Sequence, residues 1–245
     1  MTDDGRVVGT PETGARPTRI LIADDQALVR SGLRMIVDSQ PDLDVVGEAG
    51  DGRTAVELAR RLRPDVLLMD VRMPELDGIT ATSTLLADPA VRTRVLVLTT
   101  FDGDSHVYDA VRAGASGFLL KTVSPGQLTQ AVRTVAAGEA ILDPVVTRRL
   151  LAQFVQRPHP DIGIPAEFAS LSPRELDTAR YLARGLSNAE IAARMYVSEP
   201  TVKTHVTAVL SKLGVRDRVQ VVVRCYETGL VQPGELDSRA GESRP

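Results

Sequence analysis

The chain has 245 residues, 43% hydrophobic and 25% charged, with 29 basic against 32 acidic side chains. This composition excludes a disordered tail or a coiled coil, and at roughly 100 to 200 residues per domain the length favours two domains over one α/β barrel. The lone Cys225 excludes an internal disulfide and a cysteine-tetrad zinc site; His106, His159 and His205 are too few for a histidine-rich metal centre.

Residues 1–18 are rich in Gly, Thr, Pro and Asp without periodicity and read as a flexible leader. This stretch lacks the basic-then-apolar order of a signal peptide, and no later apolar run approaches the ~20 residues of a membrane helix, so a soluble, cytoplasmic protein is expected. From Arg19 an alternation begins, with β-branched or Leu-rich runs at residues 19–23, 44–48, 65–69, 94–98 and 116–120 separated by helix-period segments. A five-fold β-α repeat predicts a doubly wound parallel sheet, because each right-handed crossover carries its helix across the sheet. The fifth helix, residues 124–137, opens at Ser124-Pro125 and runs into Gly138.

In such a fold ligands sit at the carboxyl ends of the strands. The first strand ends in Asp24-Asp25, the third in Asp70, the fourth in Thr99-Thr100 and the fifth in Lys121. The second ends in a plain Ala49-Gly50-Asp51-Gly52, which suits an edge position and predicts the order 2-1-3-4-5. Three gathered carboxylates repel, and a hard divalent cation such as Mg2+ relieves that repulsion. A hydroxyl and an ammonium facing them outline a phosphoryl-transfer site. Asp24-Asp25 alone reads more simply as a helix cap; the joint pattern favours the site. Lys121 adds weight, since the chain holds 26 arginines and only three lysines.

These residues resemble the receiver domain of two-component response regulators: Ala23-Asp-Asp-Gln-Ala27, Leu68-Met-Asp-Val-Arg-Met-Pro74 with Asp77-Gly78, Val97-Leu-Thr-Thr100 and Gly114-Ala-Ser-Gly-Phe-Leu-Leu-Lys121. The resemblance implies that Asp70 accepts a phosphoryl group from a sensor histidine kinase. It further implies that Asp25, Asp70 and the Arg72 carbonyl bind magnesium, with Asp24 acting through water. Thr99 and Lys121 would hold the phosphoryl group and Phe118 would be the switch aromatic, although by its own pattern Phe118 is an ordinary core residue. Thr122 departs from the proline that many receivers carry after the lysine. A haloacid dehalogenase-type phosphatase would require a second aspartate two positions after the nucleophile, where Arg72 stands.

Asp143-Pro144 introduces a further helical stretch, residues 145–154, followed by a linker at 156–169 with Pro158, Pro160, Gly163 and Pro165. The expected organisation is a receiver over 19–138, a connecting helix and linker over 139–169, a helical domain over 170–231 and a disordered tail over 232–245. From Leu171 to Val231 nine basic and six acidic side chains give a net charge of +3, against −6 elsewhere. This asymmetry hints at nucleic acid. Ser172-Pro-Arg-Glu175 and Ser187-Asn-Ala-Glu190 fit the capping-box pattern, and Ser198 caps a helix over 199–213 that Gly214 stops. On a wheel of about 100° per residue Val202, Val206, Val209 and Leu213 form its buried stripe, leaving Lys203, Thr204, Thr207 and Ser211 outward. A last helix, residues 217–228, closes at Gly229.

Leu171-Ser-Pro-Arg-Glu175, Gly185-Leu-Ser-Asn-Ala-Glu-Ile-Ala192 and Ser198-Glu-Pro-Thr-Val-Lys-Thr-His-Val206, with Lys212-Leu213 and Arg218, resemble the LuxR-type helix-turn-helix domain. Joined to the receiver, they make the chain similar to NarL/FixJ response regulators. The resemblance implies that Lys203 and Thr204 face base edges, while Ser198, Thr201, His205 and Lys212 approach phosphates or support docking. Thr207 stands where some members carry a basic residue. It also implies a homodimer when active, using the last helix, with operator DNA and a sensor histidine kinase as partners and RNA polymerase as a further one. The expected function is a phosphorylation-dependent transcription regulator, not an enzyme. The alternative is a protein-interaction module that does not bind DNA.

Overall fold

The computed structural model describes residues 16–100, 105–138, 141–142 and 164–231. Residues 1–15 of the expected leader, the helix at 145–154, most of the linker and the tail lie outside the described residues; Thr18, read as the end of the leader, instead begins β1. The first half alternates β1 (Thr18–Ala23), α1 (Ala27–Asp38), β2 (Leu43–Ala49), α2 (Gly52–Leu62), β3 (Val66–Asp70), α3 (Gly78–Leu86), β4 (Arg94–Thr99), α4 (Ser105–Arg112), β5 (Gly117–Leu120) and α5 (Pro125–Ala136). All neighbouring strands are parallel, in the order β2-β1-β3-β4-β5 that the empty second strand end predicted. One strand was not foreseen: β6 (Ile141–Leu142) pairs with β5 and takes the far edge. Two residues are too short for a period-2 signal.

The central strands are apolar throughout because both sheet faces are covered. Leu21, Leu67, Met69, Val95, Val97 and Phe118 point toward α2, α3 and α4, where Ala55, Ala59, Ala81, Leu85 and Ala110 receive them. Ile20, Ile22, Leu68, Leu96, Leu98 and Leu119 point the other way, against Val37 of α1 and Leu128, Val132 and Val135 of α5. The Ser124–Gln127 capping box fixes the start of α5 as read from its sequence.

The second half is helical: α6 (Pro173–Ala183), α7 (Asn188–Met195), α8 (Glu199–Leu213) and α9 (Arg218–Glu227). Ser172 and Ser187 form the two expected capping boxes, Ser198 caps α8, and Gly214 ends it in the left-handed region at φ 63°. Each cap contributes about 1 kcal/mol to a helix that could not persist alone. Val202 and Val209 are fully buried and Val206 and Leu213 half-buried, as the wheel predicted. The stretch before α6 departs from the expected structureless linker. Ala166–Phe168 forms a 3-10 turn, and Phe168 is buried at 1% exposure, a lone aromatic that no periodicity could flag.

The two halves touch. α9 packs on α4, and the apolar cluster of the α2–α3–α4 face runs on into the C-terminal helices. Arg216 Nη2 donates to the carbonyls of Leu86 (3.0 Å) and Asp88 (3.4 Å), and Gln220 Nε2 donates to the Val111 carbonyl (2.7 Å). The Leu86 carbonyl ends α3, where no intrahelical donor reaches it and the helix dipole favours a cation, whereas the Asp88 and Val111 carbonyls also accept the amides of Val91 (3.1 Å) and Gly114 (3.0 Å). Arg112 and Glu227 add an ion pair at 3.2 Å.

Candidate functional site

The strand order places the ends of β1 and β3 side by side, and this brings the acidic residues together. One carboxylate oxygen from each of Asp24, Asp25 and Asp70 lies within 4.8 Å of the others. Asp24 and Asp70 are buried at 1% and 5% exposure, whereas Asp25 is open to solvent. Lys121, reaching across from the end of β5, sits 2.6 Å from Asp24 Oδ2 and 3.0 Å from Asp70 Oδ2. Burial pushes the Asp70 carboxyl above its ordinary value, with Asp24's charge adding to the rise and Lys121 and the Val71 amide opposing it. Burial alone would lower Lys121, but the two carboxylates more than reverse this and hold its ammonium charged. Three hard oxygen donors gathered about one point fit a divalent metal by their chemistry.

Local geometry explains how the loops hold these side chains. The Asp24 carboxylate accepts the Gln26 amide at 2.9 Å, and Asp70 Oδ1 accepts the Val71 amide at 2.8 Å. Arg30 Nη1 donates to the Asp24 carbonyl at 2.7 Å, pinning the β1–α1 turn. Behind Asp70, Gly78 donates to the Val71 carbonyl at 2.8 Å, and a Cβ on Gly78 would lie 1.9 Å from the Asp70 carbonyl oxygen. Gly78→Ala is therefore expected to destabilise this half by about 1 to 3 kcal/mol, the usual cost of forced overpacking. Denaturant unfolding with Phe118 and Phe168 environments as probes would measure it; an unchanged midpoint would refute the close-approach argument.

Thr99 lies half-buried at the end of β4 and donates its hydroxyl to the Thr100 carbonyl at 3.0 Å. Phe118 is 1% exposed and points into the core toward α4, the position its pattern predicted. The sequence reading did not find Arg30, nor the bond from Arg72 Nη2 to Thr100 Oγ1 at 3.0 Å. Both depend on loop packing that leaves no spacing signal.

On α8 the outward arc is as read. Lys203, Thr204, Thr207 and Ser211 are exposed, and the Lys203 side chain is 58% accessible with only a loose 3.7 Å pairing to Glu199. The Thr204 and Thr207 hydroxyls bond back to the carbonyls of Pro200 and Lys203. Ser198 and Thr201 share a 2.8 Å hydroxyl contact at the helix start, and His205 is half-buried beside them.

Lys212 has a second engagement that its sequence position did not reveal: its ammonium lies 2.6 Å from Glu175 Oε2. The same carboxylate accepts the Ser172 amide at 2.7 Å, so one residue caps α6 and ties it to α8. The Lys212 hydrogen bond, with help from Ser172, holds the Glu175 carboxyl at about 2, down from 4.5. A lowered folded-state value stabilises the fold above the ordinary value and loses that stabilisation as protons are taken up. Wild-type stability is thus expected to fall between pH 4.5 and about 2, and Glu175→Gln to lose that part of the dependence. Unfolding midpoints of the two proteins across that range would test this, and parallel curves would refute it.

Two family models match this chain: the response regulator receiver domain over residues 20–133 and the bacterial regulatory proteins of the luxR family over residues 169–225. The transcriptional regulatory protein LiaR of Bacillus subtilis is 40% identical over 87% of this chain and 99% of its own length. A solved two-component response regulator of the LuxR family from Aurantimonas is 33% identical, covering 57% of this chain and 99% of that one with a TM-score of 0.52. A structure of two RcsB dimers bound to two parallel DNAs is 24% identical, covers 88% and 100% of the two chains with a TM-score of 0.51, and shares the fold. No helix among the described residues is long and apolar enough to cross a membrane. The relatives that match across most of their length are transcriptional regulators, and the acidic pocket and helix-turn-helix supply the parts such proteins need. The chain belongs to the NarL/FixJ class of two-component response regulators, a transcription regulator with a LuxR-type DNA-binding domain and not an enzyme.

Proposed function

We propose that Asp70 is the phosphoacceptor and that its phosphorylation controls operator binding from the cytoplasm. The observation that carries this reading is the meeting of Asp70 with Asp24, Asp25 and Lys121 at one strand edge. A carboxylate oxygen of Asp70 attacks the phosphorus of a kinase phosphohistidine; the P–O bond forms, the P–N bond breaks and the imidazole leaves. Mg2+, held by Asp25, Asp70 and the Arg72 carbonyl with Asp24 through water, would neutralise charge on the transferring group. Lys121 then turns from the carboxylates toward the new phosphoryl oxygens, and Thr99 supplies a hydroxyl to them.

Thr99 stands at the end of β4 and Phe118 on β5 faces α4, so motion there reaches the α4 surface on which α9 packs. Phosphorylation would loosen the bonds from Arg216 and Gln220 and free α9 for pairing with a second copy. In the released dimer Lys203 and Thr204 read base edges while Ser198, Thr201, Thr207, His205 and Lys212 lie near the backbone. The functional units are taken as 19–138 for the receiver and 170–231 for the DNA-binding domain, joined by 139–169.

Genome-wide DNA occupancy of wild type beside Asp70→Ala tests the reading. Discrete wild-type peaks that vanish in the variant are expected. Equal peaks in both would make Asp70 dispensable, and no peaks under conditions in which the kinase is active would favour binding to a protein instead.

A further inference from the structure

At the seam between the two halves, a cleft of about 480 Å³ opens between the residues after α3, the start of β4 and the α8–α9 turn. Three arginines line it, Arg92 and Arg94 on the receiver side and Arg216 on the other, together with Thr93 and Ser116. Among the described residues none of the three is ion-paired. Arg216 is spent on the carbonyls of Leu86 and Asp88, and Arg94 on the carbonyl of Ala136 at 3.2 Å. Arg92 is exposed to solvent.

Two acidic groups are close, and they offset this charge only in part, Asp217 acting on Arg94 and Arg216 and Asp88 on Arg216. Asp217 is buried at 1% exposure, where its carboxylate caps α9 by accepting the amides of Val219 and Gln220. Asp88 offers Arg216 a backbone carbonyl, while its carboxylate accepts the Ala90 amide. Burial, the largest effect, and the charge of Arg92 both work against the Arg216 cation, although Asp217 and Asp88 favour it.

We propose that this seam is a binding site for a compact, multiply charged anion of the phosphate class, seated between Arg92, Arg94 and Arg216. Guanidinium forks match phosphate oxygens in geometry and charge. The hydroxyls of Thr93 and Ser116 take no part, since Thr93 donates to the Pro64 carbonyl at 2.8 Å and Ser116 is hydrogen-bonded to Asp217. The volume suits a small phosphorylated metabolite. The walls come from both halves, so the ligand binds the closed arrangement and, by linkage, favours it. The site itself does not depend on Asp70 being the phosphoacceptor.

The test is calorimetric titration of the full chain with inorganic pyrophosphate in magnesium-free buffer, which removes the acidic pocket as a competing site. One-to-one binding is expected in wild type, with affinity weakened about tenfold or more in Arg92→Glu, the scale of one lost charge-assisted bond. Arg92 is exposed, so its replacement leaves the fold intact, and the melting temperature of the variant checks this. Lys203→Ala reports on binding to the DNA-reading face and is expected to leave the affinity unchanged. Absence of binding at millimolar pyrophosphate would overturn the site. Equal affinity in wild type and Arg92→Glu, or loss confined to Lys203→Ala, would overturn it too.

Discussion

Asp70→Ala is expected to abolish the rise in dimer that a small-molecule phosphodonor produces in wild type, while leaving the fold intact. The loss should be complete because no neighbour can take over the nucleophile's place. Asp24 is buried and ion-paired with Lys121 at 2.6 Å, and Asp25 is exposed to solvent. Stability should change little, since burial and the charge of Asp24 disfavour the Asp70 carboxylate, and Lys121, which loses its 3.0 Å pairing with Asp70, keeps the 2.6 Å pairing with Asp24. Sedimentation with and without donor measures the dimer fraction, and thermal melting checks the fold. Equal wild-type dimer fractions in both conditions would refute phosphorylation-driven dimerisation, and a donor response that survives in Asp70→Ala would move the acceptor elsewhere.

The same pocket shows what a sequence can carry. Strand order followed from five apolar runs and one empty strand end, because a parallel sheet covered on both faces leaves few arrangements once crossovers are right-handed. The positions of Asp24, Asp70 and Lys121 then followed without any knowledge of side-chain contacts. Helix boundaries in the second half were equally legible, since Ser172, Ser187 and Ser198 signal their caps locally. Contacts between residues far apart in the chain were not legible. Lys212 pairs with Glu175 across 37 positions, Gln220 bonds to the Val111 carbonyl across 109, and Phe168 fills a core from within a proline-rich stretch. Such pairs arise from packing after the helices exist, and no period or capping motif records them. The closed seam between the halves is of this kind: Arg216 reads as a surface cation in a basic segment until the ends of α3 and α4 come into view.

Lys203→Ala is expected to weaken specific operator binding by about 1 to 3 kcal/mol, the usual worth of a base contact. Its side chain stands 58% exposed near the start of α8, restrained only by the 3.7 Å pairing with Glu199, so almost nothing in the folded protein opposes its transfer to DNA. Lys212 is the informative contrast. Its ammonium is committed to Glu175 at 2.6 Å, and moving it to a phosphate would leave the α6 cap with an uncompensated carboxylate. Lys212→Ala should therefore lower the stability of the helical domain more than Lys203→Ala does, whereas Lys203→Ala should cost more operator specificity. Paired titrations of operator and scrambled DNA at several salt concentrations separate these effects, because a phosphate contact changes the salt slope for both sequences and a base contact changes their ratio. If Lys203→Ala shifts operator and scrambled affinities equally, Lys203 holds the backbone, and the base-reading role passes to Thr204 and the rest of the exposed arc.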